Sequence, residues 1–250
     1  MVLKKLFNKK KEVTIETKET PAIDYSQADF STFENSVCAE VQPFTMTSRE
    51  RIVSLIRALE YITANSIEGD IIECGVWKGG SSMSIVKALQ NKNINNRELY
   101  LYDTFEGMTE PELVDKSFDE IDAKSMLKNE DKKTSIIWAY SELEEVKNNL
   151  FSTGYPKEKI HFIKGKVEDT LPLNMHKKIA ILRLDTDWYS STKVELELLF
   201  PKLAKGGILI IDDYGHWQGA KKAVDEYFEK NKIPIFLHRI DYTGRMAIKM

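Results

Sequence analysis

The sequence predicts an α/β fold with a mostly parallel central sheet, helices on both faces and an antiparallel strand near one edge. Beyond residue 48, short apolar runs of strand length alternate with longer segments of helical periodicity, and this alternation is typical of a parallel sheet covered on both faces. The runs at 179–184 and 208–211 are nearly continuous aliphatic stretches, as in central strands buried on both sides. Two strand-like runs joined by a turn at Gly244 end the chain, so the last strand is expected to run antiparallel at or near an edge.

The elements follow one another in a regular order. A first long helix is predicted over 48–65, where apolar residues recur at helical spacing and Thr47 or Ser48 supplies the N-cap. Because ligands bind at the carboxyl ends of the strands in such sheets, the residues that follow each strand are the functional candidates. The predicted strands cover 70–74, 98–102, 160–163, 179–184, 207–211, 233–240 and 245–250. The predicted helices between them cover 80–91, 141–150, 190–204 and 217–230.

Two segments lie outside this regular pattern. Residues 1–44 are predicted to form an N-terminal arm, with a basic start that we interpret as a solvated terminus and an irregular polar stretch at 8–35. Residues 45–250 then form one domain, which carries a long, charged and weakly periodic insertion at 105–140. A long insertion at the ligand edge of a sheet is more often a lid than a defect. Thr45, Met46 and Thr47, before the first long helix, are expected to contribute from the opposite side.

Composition limits the class of protein. The chain has 250 residues, of which 30% are charged and 42% hydrophobic. No apolar run approaches the roughly 18–20 residues of a transmembrane segment, and the N-terminus lacks a signal-peptide pattern, so we expect a cytoplasmic protein. The net charge of −3 argues against a dedicated nucleic-acid binder. Cys38 and Cys74 suggest neither a disulfide framework nor a zinc site. A homo-oligomer is also expected.

The first predicted strand ends in a glycine turn, in the segment IIECGVWKGGSSMSI. The GxGxxG pattern of dinucleotide sites is absent, and Glu73 would repel a pyrophosphate, so a nicotinamide dehydrogenase is disfavoured. S-adenosylmethionine has no phosphate and carries a cationic amine and a sulfonium, which a carboxylate attracts. The turn is therefore interpreted as a site for this cofactor, although an ordinary strand–helix turn has the same pattern. The candidate cofactor-binding residues here are Glu73, Gly75, Val76, Gly79 and Ser81.

Two further strand ends add cofactor candidates. Asp103 follows the second predicted strand, where an acid usually binds the ribose hydroxyls, and Thr104 is next to it. Taken alone, Asp103 has the alternative of a capping or solvated acid. After the third strand, Glu168 and Asp169 could contact the adenine amino group or could equally cap the following turn.

Two acid pairs follow the fourth and fifth predicted strands. The first pair is Asp185 and Asp187, and the second is Asp212 and Asp213. On adjacent strand ends these carboxylates would repel one another or take up protons. A divalent cation relieves the repulsion, and hard oxygen ligands suit Mg²⁺. Helix capping by Asp187 or Asp213 is the competing interpretation.

A metal beside a methyl donor suits transfer to an oxygen. A sugar hydroxyl is a poor nucleophile at neutral pH because little of it is ionised. Coordination lowers its pKa, and a nearby carboxylate or imidazole can remove the proton. The candidate bases are Asp185, Asp187 and His216, and a surface loop histidine is the alternative for His216.

Three segments of the chain carry a family resemblance: IIECGVWKGGSS, YDTFEGM and LRLDTDWYSSTKVELELLFPKLAKGGILIIDDYGHWQGAKKAVDEYF. They closely resemble the macrocin and mycinamicin sugar O-methyltransferase family, over residues 45–250. The resemblance implies a Rossmann-like class I fold that uses S-adenosylmethionine, magnesium dependence and O-methylation of a sugar hydroxyl. It places metal ligands at Asp185, Asp212 and Asp213, the general base at Asp185 or Asp187, and cofactor residues at Glu73, Gly75 and Asp103.

The acceptor stays open at this point. It could be the sugar of a nucleotide-sugar, a glycolipid, a polysaccharide or a secondary metabolite. A catechol or another phenol is the alternative acceptor, since its methylation uses a similar metal arrangement. A degenerate methyltransferase that acts as a binding module is disfavoured, because such a module has no need for four repelling carboxylates.

Overall fold

The structure, a computed structural model, describes residues 27–128, 130–173 and 176–250. Its centre is a seven-stranded sheet in the order β3-β2-β1-β4-β5-β7-β6. The strands are β1 (Asp70–Cys74), β2 (Leu99–Asp103), β3 (Ile160–Lys164), β4 (Ile179–Leu184), β5 (Leu203–Ile211), β6 (His238–Arg239) and β7 (Arg245–Ile248). The first five strands pair in parallel, and β7 pairs antiparallel with β5 and β6. The predicted α/β fold with an antiparallel strand near one edge is confirmed.

Helices cover both faces of this sheet. One face packs against α1, α2, α3 and α5, and the other against α6, α7 and α8. The helices are α1 (Thr32–Val41), α2 (Arg49–Ala64), α3 (Gly80–Asn91), α4 (Ala123–Lys128), α5 (Leu143–Ser152), α6 (Val167–Thr170), α7 (Tyr189–Leu199) and α8 (Gln218–Lys230). Among the described residues, no helix combines the length and the apolar character that crossing a membrane requires.

The central strands contribute to both layers of the core. Ile181 packs beneath α2 and α3, whereas its neighbour Leu182 packs beneath α7 and α8, because successive side chains of a strand point to opposite faces. Both side chains are fully buried, and each such burial contributes about 1.5–3 kcal/mol. The polar residues that follow β4 are therefore held at the end of a rigid, apolar strand.

A helix lies in the segment predicted to be an arm. α1 begins at Thr32, inside the stretch 8–35 that is predicted to be irregular. Ser31 caps it and forms a capping box with Glu34, which is the local sequence signal for this helix. Val41, the last residue of α1, is buried, so the helix belongs to the core. Residues 1–26, including the basic start, lie outside the described residues.

The boundary between α7 and β5 differs from the prediction. α7 ends at Leu199 rather than at 204, and β5 begins at Leu203 rather than at 207. Pro201 has no N–H to continue a helix, and a short 3₁₀ turn at Phe200–Lys202 leads directly into the strand. Of the strand predicted over 233–240, only His238–Arg239 pairs with β7.

The insertion at 105–140 is docked on the N-terminal ends of α7 and α8. The buried Asp115 carboxylate accepts a hydrogen bond from the Tyr189 N–H at 2.8 Å. Ser117 forms a β-bridge with Trp217 just before α8. These contacts place the insertion beside the ends of β4 and β5, and its closure over a ligand stays a prediction.

Candidate active site

Two adjoining cavities open at the carboxyl ends of the parallel strands. The inner cavity is lined by residues 75–77, 102–104, 107–109, 165–168, 185–187, Met46, Ala139 and Ser191. The outer cavity is lined by 44–47, 76–77, 136–137, 212–213, 216–217, 242–243, Gln42, Arg51, Ser81, Met126, Ala139, Asp185 and Asp187. Asp185 and Asp187 line both cavities. Molecules bound in the two cavities would therefore meet beside these two carboxylates.

In the turn after β1, the backbone of Gly75 packs directly against the backbone of Asp185. Gly75 has a φ of +83°, and a Cβ at this position would overlap the backbone carbonyl of Asp185. Only glycine satisfies both conditions, so the ends of β1 and β4 can approach closely. Gly79, with a φ of +90°, caps the N-terminus of α3. Val76 lies between them and lines both cavities.

Asp103 lies at the end of β2, on the floor of the inner cavity. Its carboxylate accepts hydrogen bonds from the N–H groups of Val76 at 2.7 Å, Trp77 at 3.1 Å and Phe105 at 2.7 Å. Burial raises the pKa of Asp103, and the three backbone N–H groups act in the opposite direction. Asp103 thus shapes the turn after β1 and also faces the cavity. Thr104 lines the inner cavity as well, and its hydroxyl donates to the Gly107 carbonyl at 2.7 Å.

The other predicted cofactor residues lie in different environments: some line a cavity, one is exposed and one is buried. Glu168 lines the inner cavity, and its Oε2 is buried without a hydrogen-bond partner among the described residues. Asp169 is exposed and lines neither cavity, whereas Ser81 lines the outer one. Glu73 is 1% exposed and accepts hydrogen bonds from Arg183, at 2.7 Å, and from Ser82. The geometry therefore does not support direct contact between Glu73 and a cofactor.

Three of the predicted acids converge at the boundary of the two cavities. Asp185, Asp187 and Asp213 each place one carboxylate oxygen within 4.8 Å of the others. Asp213 Oδ2 is buried and has no hydrogen-bond partner in the described part of the chain. Asp187 has a φ of +70°, an unusual conformation for a residue with a side chain. The site therefore collects negative charge and leaves one acceptor unsatisfied.

The fourth acid, Asp212, is held by two arginines that are absent from the predicted site. Arg183 donates to Asp212 Oδ1 at 2.8 Å, and Arg51 pairs with Asp212 Oδ2. Arg183 also pairs with Asp185 and Glu73, each at 2.7 Å. Its pKa is raised by these three carboxylates, although burial opposes them. Part of the repulsion predicted at the strand ends is thus relieved by the protein itself.

The candidate bases have pKa values shifted by their surroundings. Burial raises the pKa of Asp187 to about 7, and the carboxylates of Asp185 and Asp212 act in the same direction. Burial lowers the pKa of His216, which lines the outer cavity and contacts the rings of Phe118 and Trp217. Both side chains are able to accept a proton near neutral pH.

This fold and site define a class of enzyme. A mostly parallel sheet with β7 antiparallel, a glycine turn after β1 that lacks the GxGxxG pattern, and an acid at the end of β2 are together the arrangement of a class I S-adenosylmethionine-dependent methyltransferase.

The chain belongs to the Macrocin-O-methyltransferase (TylF) family, which it matches over residues 4–248. It is 34% identical over 200 residues to the demethyldecarbamoylnovobiocin O-methyltransferase of Streptomyces niveus, covering 80% of this chain and 73% of that protein. A tetracenomycin-C rhamnosyl 4'-O-methyltransferase of Streptomyces olivaceus is 33% identical with the same coverage. The solved structure of the O-methyltransferase NovP has a TM-score of 0.71 at 31% identity, covering 83% of this chain and 82% of that one. The chain is therefore an S-adenosylmethionine-dependent O-methyltransferase, and the predicted family and class I fold are confirmed.

Proposed function

We propose that the enzyme transfers the methyl group of S-adenosylmethionine to a sugar hydroxyl of a glycosylated small molecule, with Mg²⁺ bound at the acid cluster. The observation that carries this proposal is the boundary between the two cavities, where Asp185 and Asp187 face both. A cofactor in the inner cavity and an acceptor in the outer one would meet at these carboxylates.

The inner cavity has the polar groups that S-adenosylmethionine requires. Asp103 reaches the cavity at the end of β2, where the remaining acceptor site on its Oδ1 can accept from a ribose hydroxyl. Glu168 Oε2 is a buried acceptor without a partner among the described residues, and the adenine amino group can satisfy it. Gly75 has no side chain, so a bound cofactor can approach the backbone at this side of the cavity. Asp185 and Asp187 give the end nearest the outer cavity a negative charge that suits the cationic methionine part of the cofactor.

The acid cluster has the donor set that suits Mg²⁺. Asp185, Asp187 and Asp213 would hold the ion through their converging oxygens, and binding would satisfy the orphaned Asp213 Oδ2. Once bound, Mg²⁺ would lower the pKa of an acceptor hydroxyl. The family resemblance assigns Asp212 to this set in place of Asp187, but Arg51 and Arg183 already occupy the oxygens of Asp212.

The protein's own side chains can take the proton that the acceptor hydroxyl loses. His216 lines the outer cavity, is not one of the proposed metal ligands and is our first candidate for this step. Asp187 lines both cavities and is the second candidate: burial raises its pKa to about 7, but bound Mg²⁺ would lower it, so it could take the proton only on the carboxylate oxygen that does not bind the ion.

The outer cavity favours a neutral, partly apolar acceptor. It encloses about 640 Å³, which exceeds the space of a single sugar ring. Its lining combines the carboxylates with apolar side chains that include Met126, Ile137 and Trp217. Arg51, the one cation among its described lining residues, is already paired with Asp212 and Asp241. A nucleotide-sugar diphosphate would find no unpaired lysine or arginine among the described lining residues to neutralise its charge.

We therefore expect labelled methyl transfer to neutral glycosides with an apolar aglycone. The test incubates the enzyme with labelled S-adenosylmethionine and matched acceptors: an aryl or macrolide glycoside, the corresponding free sugar, a nucleotide-sugar and a catechol. Product should form fastest with the glycoside. Transfer to the catechol but to no glycoside would replace the proposal with a phenol O-methyltransferase, and preference for the nucleotide-sugar would contradict our assignment of the outer cavity.

A second expected result concerns cofactor binding. Asp103→Ala should weaken binding of S-adenosylhomocysteine by at least about 10-fold, since a hydrogen bond to a charged group contributes ~1.5–3 kcal/mol. Asp103→Asn keeps the side-chain size and one acceptor oxygen, so it should lose less. Calorimetry measures both variants, and circular dichroism controls for the turn that Asp103 holds. Unchanged affinity in Asp103→Ala would remove Asp103 from the cofactor site.

The cytoplasmic location and the homo-oligomeric state predicted from the sequence stay predictions.

A further inference from the structure

A buried carboxyl on α7 lies behind the acid cluster without belonging to either cavity. Glu195 is fully buried. Its Oε1 accepts a hydrogen bond from Thr186 Oγ1 at 2.9 Å. The Cys74 thiol is a second, weaker donor to this carboxyl, and Oε2 makes no hydrogen bond of ordinary geometry among the described residues. A buried carboxyl that makes so few hydrogen bonds lowers stability. Neither the core nor the cofactor accounts for an acid at this position.

The partner of Glu195 lies between the two acids that face both cavities. Thr186 separates Asp185 from Asp187, and its carbonyl accepts from the Trp188 N–H at 2.8 Å. This hydrogen bond closes a three-residue turn with Asp187 at its centre, in the left-handed φ of +70°. Such a turn is strained and persists only when its surroundings hold it.

Side chains of α7 supply that support. Ser191 Oγ lies 3.4 Å from the Thr186 carbonyl, on the backbone side of the turn. Glu195 binds the side chain of the same threonine, one helical turn further along α7. The two contacts anchor Thr186 to a helix that is packed in the core, so the residues on either side of it keep a defined direction.

We propose that Glu195 is a positioning residue: by holding Thr186, it fixes the strained turn that aims Asp185 and Asp187 at the boundary of the two cavities. The inference rests on the proposed function for the role of those two acids. Glu195 itself touches neither cofactor nor acceptor, because it lines neither cavity.

Glutamine is the matched control for this side chain. Burial raises the pKa of Glu195 well above its ordinary value, and the carboxylates of Glu168 and Asp185 raise it further, although the hydrogen bonds from Thr186 and Cys74 oppose them. A neutral acid and an amide have the same shape, and the amide oxygen can accept from Thr186 in the same way. Leucine keeps the volume but removes the acceptor.

The test compares Glu195→Gln with Glu195→Leu in the full-length enzyme. Loss of a side chain that orients a metal ligand typically costs about 10- to 100-fold in metal affinity or activity. We expect Glu195→Leu to lower kcat and the affinity for Mg²⁺, measured by calorimetry, within that range. KM for S-adenosylmethionine should change much less. Glu195→Gln should retain most of both quantities.

A second pair of variants tests the same contact from the other side. Thr186→Val should reproduce the loss seen in Glu195→Leu, and Thr186→Ser should retain most of the activity. In the double variant Thr186→Val/Glu195→Leu the losses should not add, because both changes remove one interaction. If Glu195→Leu does not fold, Thr186→Val with its serine control still tests the contact.

The outcomes separate this inference from the proposed function. Wild-type kcat and Mg²⁺ affinity in folded Glu195→Leu or Thr186→Val would overturn the positioning role while leaving the function intact. Equal losses in Glu195→Gln and Glu195→Leu would also overturn it. A wild-type enzyme that binds Mg²⁺ but methylates no glycoside would instead contradict the proposed function.

Discussion

Asp213→Asn is expected to reduce methyl transfer by more than about 100-fold while leaving the affinity for S-adenosylhomocysteine nearly unchanged. Asparagine keeps the size of the side chain but loses the charge on which Mg²⁺ binding depends. Asp213 lines the outer cavity and not the inner one, so the loss should fall on the metal and the acceptor. Single-turnover rates and calorimetry measure the two quantities separately.

The same variant should be at least as stable as the wild type in EDTA. Burial raises the pKa of Asp213 well above its ordinary value, and Asp187 and Asp212 raise it further. A carboxyl whose pKa is raised by folding stabilises the protein below its unfolded pKa, and this contribution is lost as the pH rises through the folded pKa. Asparagine does not ionise, so the variant does not lose this stability as the pH rises. The difference between the free energies of unfolding of Asp213→Asn and the wild type, measured in urea, should therefore grow in favour of the variant from acidic to neutral pH.

Two control variants distinguish a metal-binding role of Asp213 from a structural one. Asp212→Asn should lower stability, because it leaves Arg51 and Arg183 without a charged partner at this position. Asp225→Asn, on the surface of α8 and outside both cavities, should change neither activity nor cofactor binding. If Asp213→Asn is less stable than the wild type at every pH and loses activity only by unfolding, Asp213 is a structural acid.

Arg183→Met is expected to lower the free energy of unfolding by about 3–5 kcal/mol, because it leaves buried carboxylates without their cation. Arg183 is 2% exposed and pairs with Glu73, Asp185 and Asp212. Methionine keeps the length and apolar character of the side chain but has no charge. Urea unfolding of the variant and the wild type at neutral pH measures the difference.

The controls distinguish a buried network from an ordinary surface charge. Lys124→Met removes an exposed ammonium that pairs with the exposed Glu110, so it should cost far less. Glu73→Gln in the Arg183→Met background removes one of the unpaired carboxylates and should restore part of the lost stability. An Arg183→Met variant as stable as the wild type would show that the acids at the strand ends do not depend on Arg183.

The meeting of the acids at one edge of the sheet could be predicted, because the apolar runs locate the strands and the acids directly follow them in sequence. The aliphatic run 179–184 and the run 208–211 predict neighbouring buried strands, and parallel strands end at one edge of a sheet. Asp185, Asp187 and Asp213 converge there, whereas the family resemblance names Asp185, Asp212 and Asp213 as metal ligands. The order in which the strands pair supports the same result, since β4 lies directly between β1 and β5.

The arginines that pair with these acids could not be predicted from the local sequence pattern. Arg183 pairs with Glu73 because β1 and β4 place these residues opposite each other, which depends on strand order and register. Arg51 reaches Asp212 from α2, 161 residues earlier in the chain. One signal was present: an arginine inside the otherwise apolar run IAILRL indicates a buried charge, and a buried charge requires a partner.

The sequence also does not determine which of the acids are oriented to bind a metal. Two acids that follow one strand look equivalent in sequence, but Asp212 is 2% exposed and bound by arginines, whereas its neighbour Asp213 has an oxygen without a partner among the described residues. Likewise, the orientation of Asp187 depends on a left-handed turn that its residue type does not predict. Side-chain direction at a strand end follows from tertiary contacts.

The dependence of methyl transfer on Mg²⁺ tests the proposed metal site most directly. The wild-type enzyme is incubated with labelled S-adenosylmethionine and its best glycoside acceptor, first in EDTA and then with Mg²⁺ added in excess. We expect no product above background in EDTA and full recovery with Mg²⁺, because the acid cluster would lack the ion that its converging oxygens suit. Undiminished transfer in EDTA would contradict the assignment of Asp185, Asp187 and Asp213 as a metal site.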